Sequence, residues 1–178
     1  MTKILIFILT IILSGSFSHA QSFSKQEKEL YDLIMSYRKS KGLPSIPISP
    51  SLHKVAQIHS NDLQENYVED RLCNLHSWSN KGNWKPVCYT QSHEQAELMW
   101  SKPSELTEYD FPGYEIAFFH SDKASPGEAL SSWKSSKGHH DLIINKGIWT
   151  QPWKAIGIGI SQNYALVWFG FEKDPAKN

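Results

Sequence analysis

The sequence has little of what marks the simpler functional classes. It holds only two cysteines, Cys73 and Cys88. They do not form a CxxC pair, so neither a thiol redox site nor a zinc knuckle is encoded. Neither sign of charge dominates, with 18 Lys and Arg against 18 Asp and Glu. There is no basic tract, which removes the electrostatic motive for binding nucleic acid or an anionic membrane surface. No internal repeat, low-complexity segment, HExxH chelate, nucleophile elbow or glycine-rich phosphate loop is present. No apolar run reaches the roughly 20 residues of a membrane-spanning helix.

What is there begins with an export signal. Lys3 supplies a positive start, Ile4 to Leu13 is an apolar stretch too short to span a bilayer, and Ser18-His19-Ala20 fits the small-x-small cleavage rule. Cleavage after Ala20 is expected, leaving Gln21 to Asn178 as one secreted or periplasmic domain. No cysteine stands at the cleavage point to carry a lipid anchor. Loss of Lys3 leaves one acidic residue in excess, and that balance, with no heptads, points to a monomer. In an oxidising compartment Cys73 and Cys88 are expected to pair, the alternative being two buried thiols.

The elements are legible from spacing and punctuation. Ser24 and Glu27 form a capping box ahead of Leu30, Leu33, Ile34 and Tyr37, and Gly42 and Pro44 close the segment, so a helix is predicted over 25–41. Ser49 with Pro50 starts a second helix whose inner stripe is Leu52, Val55, Ala56, His59 and Leu63, ending near Asn66. No helical period appears from Asn66 to Thr90. A third helix is predicted from Ser92 to about Ser101, stopped by Pro103, and a strand over 113–119. Ser125-Pro126-Gly127-Glu128 opens a fourth helix with Gly138 as its expected C-cap, and His139-His140 just after it. Ala155–Ile160 and Tyr164–Gly170 read as an antiparallel hairpin. Helices early and strands late define an α+β domain.

Three segments set a titratable residue among aromatic residues and glycine: Leu75-His76-Ser77-Trp78, Gly113-Tyr114-Glu115-Ile116-Ala117, and Trp133-Lys134-Ser135-Ser136-Lys137-Gly138-His139-His140. With Ile34-Met35-Ser36-Tyr37-Arg38, Gly42-Leu43-Pro44, Ser51-Leu52, Ala56-Gln57-Ile58-His59-Ser60 and Ala155-Ile156-Gly157-Ile158-Gly159, they occur in the order found in the CAP family. The sequence resembles that family (cysteine-rich secretory proteins, antigen 5 and pathogenesis-related 1) over nearly its whole exported length. The resemblance implies a three-layer α-β-α sandwich with a mostly antiparallel sheet and a surface cleft. Such clefts often hold two His and one or two Glu, sometimes with zinc or another divalent ion. Carried over position by position, the set here is His76, His139 and Glu115. The place of a second glutamate is taken by Ser136, so the four-residue set is incomplete.

Two imidazoles and a carboxylate are borderline-soft ligands that leave a fourth position for water, a weak divalent site whose affinity falls with pH. Glu115 is open between two roles, ligand and orienting partner of a histidine ring. His140 diverges from His139 by about 100° on a helix and reads as an outer residue. His59 reads as a satisfied core histidine, and His53 and His93 as exposed. Trp78, Trp84 and Trp100 are read as packing residues, with a cleft lining as the alternative. Ser136 near His139 lacks oxyanion donors and an orienting acid, so serine hydrolysis is not indicated. Two functions follow: a secreted protein whose cleft binds a lipid, a glycan or another protein, or an extracellular metal-dependent hydrolase with Glu115 as base.

Overall fold

In the computed structural model, residues 23–176 are described, so the predicted signal segment lies outside the described residues. Six helices and three strands follow in the order α1 (Lys25–Ser40), α2 (Pro50–Asn66), α3 (Ala96–Trp100), α4 (Lys102–Leu106), β1 (Tyr114–Phe119), α5 (Pro126–Ser135), α6 (Lys137–Ile143), β2 (Ala155–Ile160) and β3 (Tyr164–Gly170). The strands form an antiparallel sheet in the order β1-β3-β2. The most buried strand, β3, lies in the middle.

Alternation along the strands sorts the sheet into two faces. Ile116, Ile156, Ile158, Val167 and Phe169 pack against Leu30 and Ile34 of α1, Trp133 of α5 and Leu142 of α6. On the other face Trp168 packs with Leu52, Val55 and Ala56 of α2, and Leu166 packs with Leu63. This is the α-β-α sandwich. The glycines of β2 set its spacing, because a Cβ on Gly157 would overlap the backbone of Leu52 and His53, and one on Gly159 that of Ala56 and Gln57. The alternation of isoleucine and glycine therefore lets α2 lie backbone-close on the sheet.

The predicted starts of α1 and α2 are found. Ser24 Oγ accepts from the Glu27 amide while Glu27 reaches back, Ser49 caps α2, and Gly42 takes the left-handed φ of +75° after α1. Two expectations are corrected. Pro103 does not stop a helix; it sits in the first turn of α4, where its missing N–H is harmless. Gly138 is not a C-cap. The chain breaks just before it, at Ser136 in extended conformation, and Gly138 lies inside α6. His139 and His140 are thus helical residues on a short second axis.

The excursion between α2 and α3 is held by a Cys73–Cys88 disulfide. Closing a loop of that sequence separation, 15, stabilises by about 3 kcal/mol in the chain-entropy model. Backbone bonds Asn74 N to Tyr89 O (2.9 Å) and Trp78 N to Val87 O (2.8 Å) reinforce it.

Candidate functional site

Glu115 lies on β1, on the α2 face, opposite Trp168 of β3. Its side chain is fully buried, and both oxygens are bonded to imidazoles: Oε2 to Nδ1 of His59 at 2.6 Å and Oε1 to Nδ1 of His76 at 2.8 Å. His59 comes from the inner stripe of α2. Its other nitrogen, Nε2, meets the Ser77 carbonyl at 2.9 Å. Both His59 nitrogens therefore face oxygen atoms, one of the Glu115 carboxyl and one of the Ser77 carbonyl. Burial pushes the Glu115 carboxyl up. The charge and hydrogen bond of His59, then those of His76, outweigh burial and hold it below the ordinary carboxylate range.

His76 is placed by its loop. Its amide donates to Asn74 Oδ1 at 3.0 Å, the Ser77 amide to the Asn74 carbonyl at 3.0 Å, and the Tyr89 amide to Ser77 Oγ at 2.9 Å. Trp78, next in sequence, stacks on His59 with centroids 4.1 Å apart and planes 9° from parallel. With Nδ1 of His76 bound to Glu115, Nε2 remains as its available nitrogen.

His76, Glu115 and His139 all line one cavity of about 510 Å³, with Trp100, Tyr114 and Trp149 among its aromatic walls. Tyr114 meets Trp149 edge-on at 4.9 Å and Trp100 at 5.7 Å. Burial, and after it the charge of His76, hold the His139 imidazole below its ordinary range. The His139-His140 doublet splits as adjacent helical residues must. His140 faces away, its Nε2 2.8 Å from the Tyr37 hydroxyl.

Several sequence readings change here. His53 is buried, not exposed, with Nδ1 2.6 Å from the Ile158 carbonyl. His93 is exposed, but it lines the cavity at a left-handed φ of +60°, its Nδ1 2.7 Å from the Tyr89 hydroxyl. The three tryptophans share one cluster, Trp78 buried in it and Trp84 and Trp100 partly buried against it, and Trp100 also reaches the cavity. His59 is a satisfied core histidine as read, yet it is also the partner of Glu115, which the reading missed. The signal was available: a histidine on the buried stripe of one element and a carboxylate in an apolar strand each need a partner.

As they stand, the three predicted ligands do not fit a divalent ion together. Among the described residues no three His, Cys, Asp or Glu side chains are grouped to hold a metal. Both oxygens of Glu115 already face imidazole N–H groups, which is the geometry of an orienting carboxylate. Two imidazoles remain.

The α-β-α sandwich has a cleft lined by a histidine from the disulfide loop, a buried strand glutamate and a histidine from a post-strand helix, and this combination marks a class of extracellular-type domain. The chain belongs to that class by sequence as well: the model of the cysteine-rich secretory protein family, CAP, matches residues 31–169. Among solved structures, it is similar to an outer surface protein of Borrelia burgdorferi (TM-score 0.57, 19% identity, 84% of this chain and 95% of that one). It is also similar to an SCP-domain extracellular protein of Bacillus anthracis (TM-score 0.57, 16% identity, 83% of this chain and 40% of that one). A third is a cysteine-rich secretory protein of Staphylococcus aureus (TM-score 0.52, 16% identity, 81% of this chain and 37% of that one). At these identities the likeness is one of fold. Among curated sequences, none matches the chain. Among the described residues no helix is long and apolar enough to cross a membrane.

Proposed function

We propose that this protein is a secreted ligand-binding CAP domain, working outside the cytoplasm through the aromatic cleft around His76 and His139. One observation carries the reading: two imidazoles from distant segments meet in a cavity walled by Trp100, Tyr114 and Trp149. That mixture of flat apolar surface and a few fixed polar groups suits a lipid, a glycan or a protein side chain. His76, oriented through Nδ1, and His139 are the groups that would hold zinc or another divalent ion. Two protein ligands make a weak site, and such an ion would supply positive charge to a ligand oxygen. Glu115 orients His76 rather than contacting the ligand.

A second reading, an extracellular hydrolase, is favoured by the Glu115–His76 bond, which fixes the tautomer that leaves Nε2 free to take a proton. It is the weaker reading because Glu115 is buried and bonded on both oxygens, so it cannot itself serve as base. Zinc titration by calorimetry of the wild type, His76→Ala and His139→Ala tests the site. Loss of binding in both variants supports it, and unchanged binding in both refutes a shared site. Turnover of any ester, peptide or glycoside that disappears in His76→Ala would instead favour the hydrolase.

A further inference from the structure

Arg38, on the last turn of α1, is 1% exposed and has no carboxylate partner among the described residues. Its guanidinium donates only to neutral oxygens: Nε to the Pro44 carbonyl (3.2 Å), and Nη1 to the Ile143 carbonyl (2.6 Å) and Asn145 Oδ1 (2.8 Å). Burying a cation without a counter-charge is unfavourable, and burial pulls the group down to about 10. A fold tolerates such a group where its hydrogen bonds fix something.

What they fix is the segment after α6. Asn145 stands at a left-handed φ of +52°, and Gly147 follows at +63°. The Asn145 amide is bonded at its oxygen and at both N–H groups: Oδ1 accepts from Arg38, while Nδ2 donates to the carbonyls of Trp149 (3.1 Å) and Gln151 (2.6 Å). Lys146 N bonds the Asp141 carbonyl at 2.8 Å and Trp149 N the Lys146 carbonyl at 3.0 Å. Held this way, the segment presents Trp149 against Tyr114 and leaves Ile148 85% exposed, both at the cavity.

We propose that Arg38 and Asn145 are positioning residues for the lip of the cleft, a brace that keeps Trp149 and Ile148 set as an apolar contact surface for the ligand. The functional weight of the lip rests on the cleft reading above; the brace itself does not.

Asn145→Asp cuts the brace on one side. Aspartate tolerates the left-handed backbone and keeps an oxygen for Arg38, which also gains a counter-charge there, but loses both donors to the Trp149 and Gln151 carbonyls. Hydrogen exchange followed by mass spectrometry on wild type and variant is expected to show peptides over 144–151 exchanging at least about tenfold faster. Those over β2 and β3 should stay unchanged, with Tm falling by no more than about 4 °C. Unchanged exchange at 144–151 would overturn the proposal. So would uniform acceleration across the domain with a matching larger fall in Tm, which would make the brace a general stabiliser. Zinc affinity measured on the same variant separates the two claims. If the wild type binds no zinc, the imidazole site fails while the exchange data still decide the brace.

Discussion

Replacing Glu115 tests how the interior of the cleft wall is organised. Glu115→Ala removes the only partner, among the described residues, of His59 Nδ1 and of His76 Nδ1, and leaves a cavity with an unpaired ring nitrogen inside the protein. Breaking a buried ion pair from one side costs about 3–5 kcal/mol. In a domain of this size each kcal/mol shifts Tm by about 2–4 °C, so a fall of at least about 6 °C is expected. Glu115→Gln behaves differently. Its Nε2 can donate to a neutral His59 Nδ1, whose Nε2–H still reaches the Ser77 carbonyl, and its Oε1 can accept from His76. Every hydrogen bond survives and only the charge goes. Since well-satisfied neutral replacements of buried pairs are often nearly neutral, Glu115→Gln should retain most of the stability that Glu115→Ala loses. The acid limb provides a second readout. The folded Glu115 carboxyl is held below its unfolded range of about 4.3, so its contribution is present above that value and is lost as pH falls through the lower folded one. Glu115→Gln should therefore flatten the fall in Tm in that window. Calorimetry of the three proteins from pH 7 down to 3 measures both effects. Equal destabilisation of the two variants at pH 7 would refute the hydrogen-bond accounting, and a loss under about 1 kcal/mol for Glu115→Ala would refute the buried pair.

Three further outcomes are expected. Gly157→Ala forces a Cβ into the backbone of Leu52 and His53, which has no rotamer to escape to, and should cost at least the ~1–3 kcal/mol typical of overpacking in urea titration. Gly127→Ala in α5 meets nothing within 4 Å and should be neutral to stabilising. His53 is held below its ordinary range by burial, against the opposing pull of Glu27 and the Ile158 carbonyl. Its neutral form thus favours folding above the unfolded value of about 6.5, and that contribution is lost as pH falls through the lower folded value. His53→Phe, which preserves the ring stack on Phe23 at 4.2 Å, should have a shallower Tm–pH slope below about 6.5 than the wild type.

The parts of the fold legible in the sequence were those written locally. The capping box at Ser24, the Ser49-Pro50 start and the glycine alternation of Ala155–Ile160 each use residues a few positions apart. The break at Ser136 was not legible, because nothing in Trp133–His140 departs from helical propensity except one glycine, and that glycine was read as the end. The helix ends earlier, at Ser136 in extended conformation, and the new axis places Leu142 and Ile143 in the core. His53 was misread because its burial depends on Phe23 and Ile158, both remote in sequence. The cavity walls divide in the same way: His76, Glu115 and His139 were recognisable by motif, whereas Trp149 and Ile148 reach the site through Asn145, a contact no periodicity encodes.

The same asymmetry says how the site works. Glu115 sits in the interior with each oxygen bonded, His59 has both nitrogens bonded, and the Asn145 amide has its oxygen and both N–H groups bonded. Groups so engaged have fixed geometry and little freedom to exchange protons. The cavity also presents the His76 Nε2, the His139 and His93 rings and aromatic surface. An arrangement that rigidly satisfies its own acid while holding rings open to solvent supports the proposed binding reading over the hydrolase one. That weighting would reverse only if a substrate were shown to displace His59 or His76 from Glu115 and free the carboxylate.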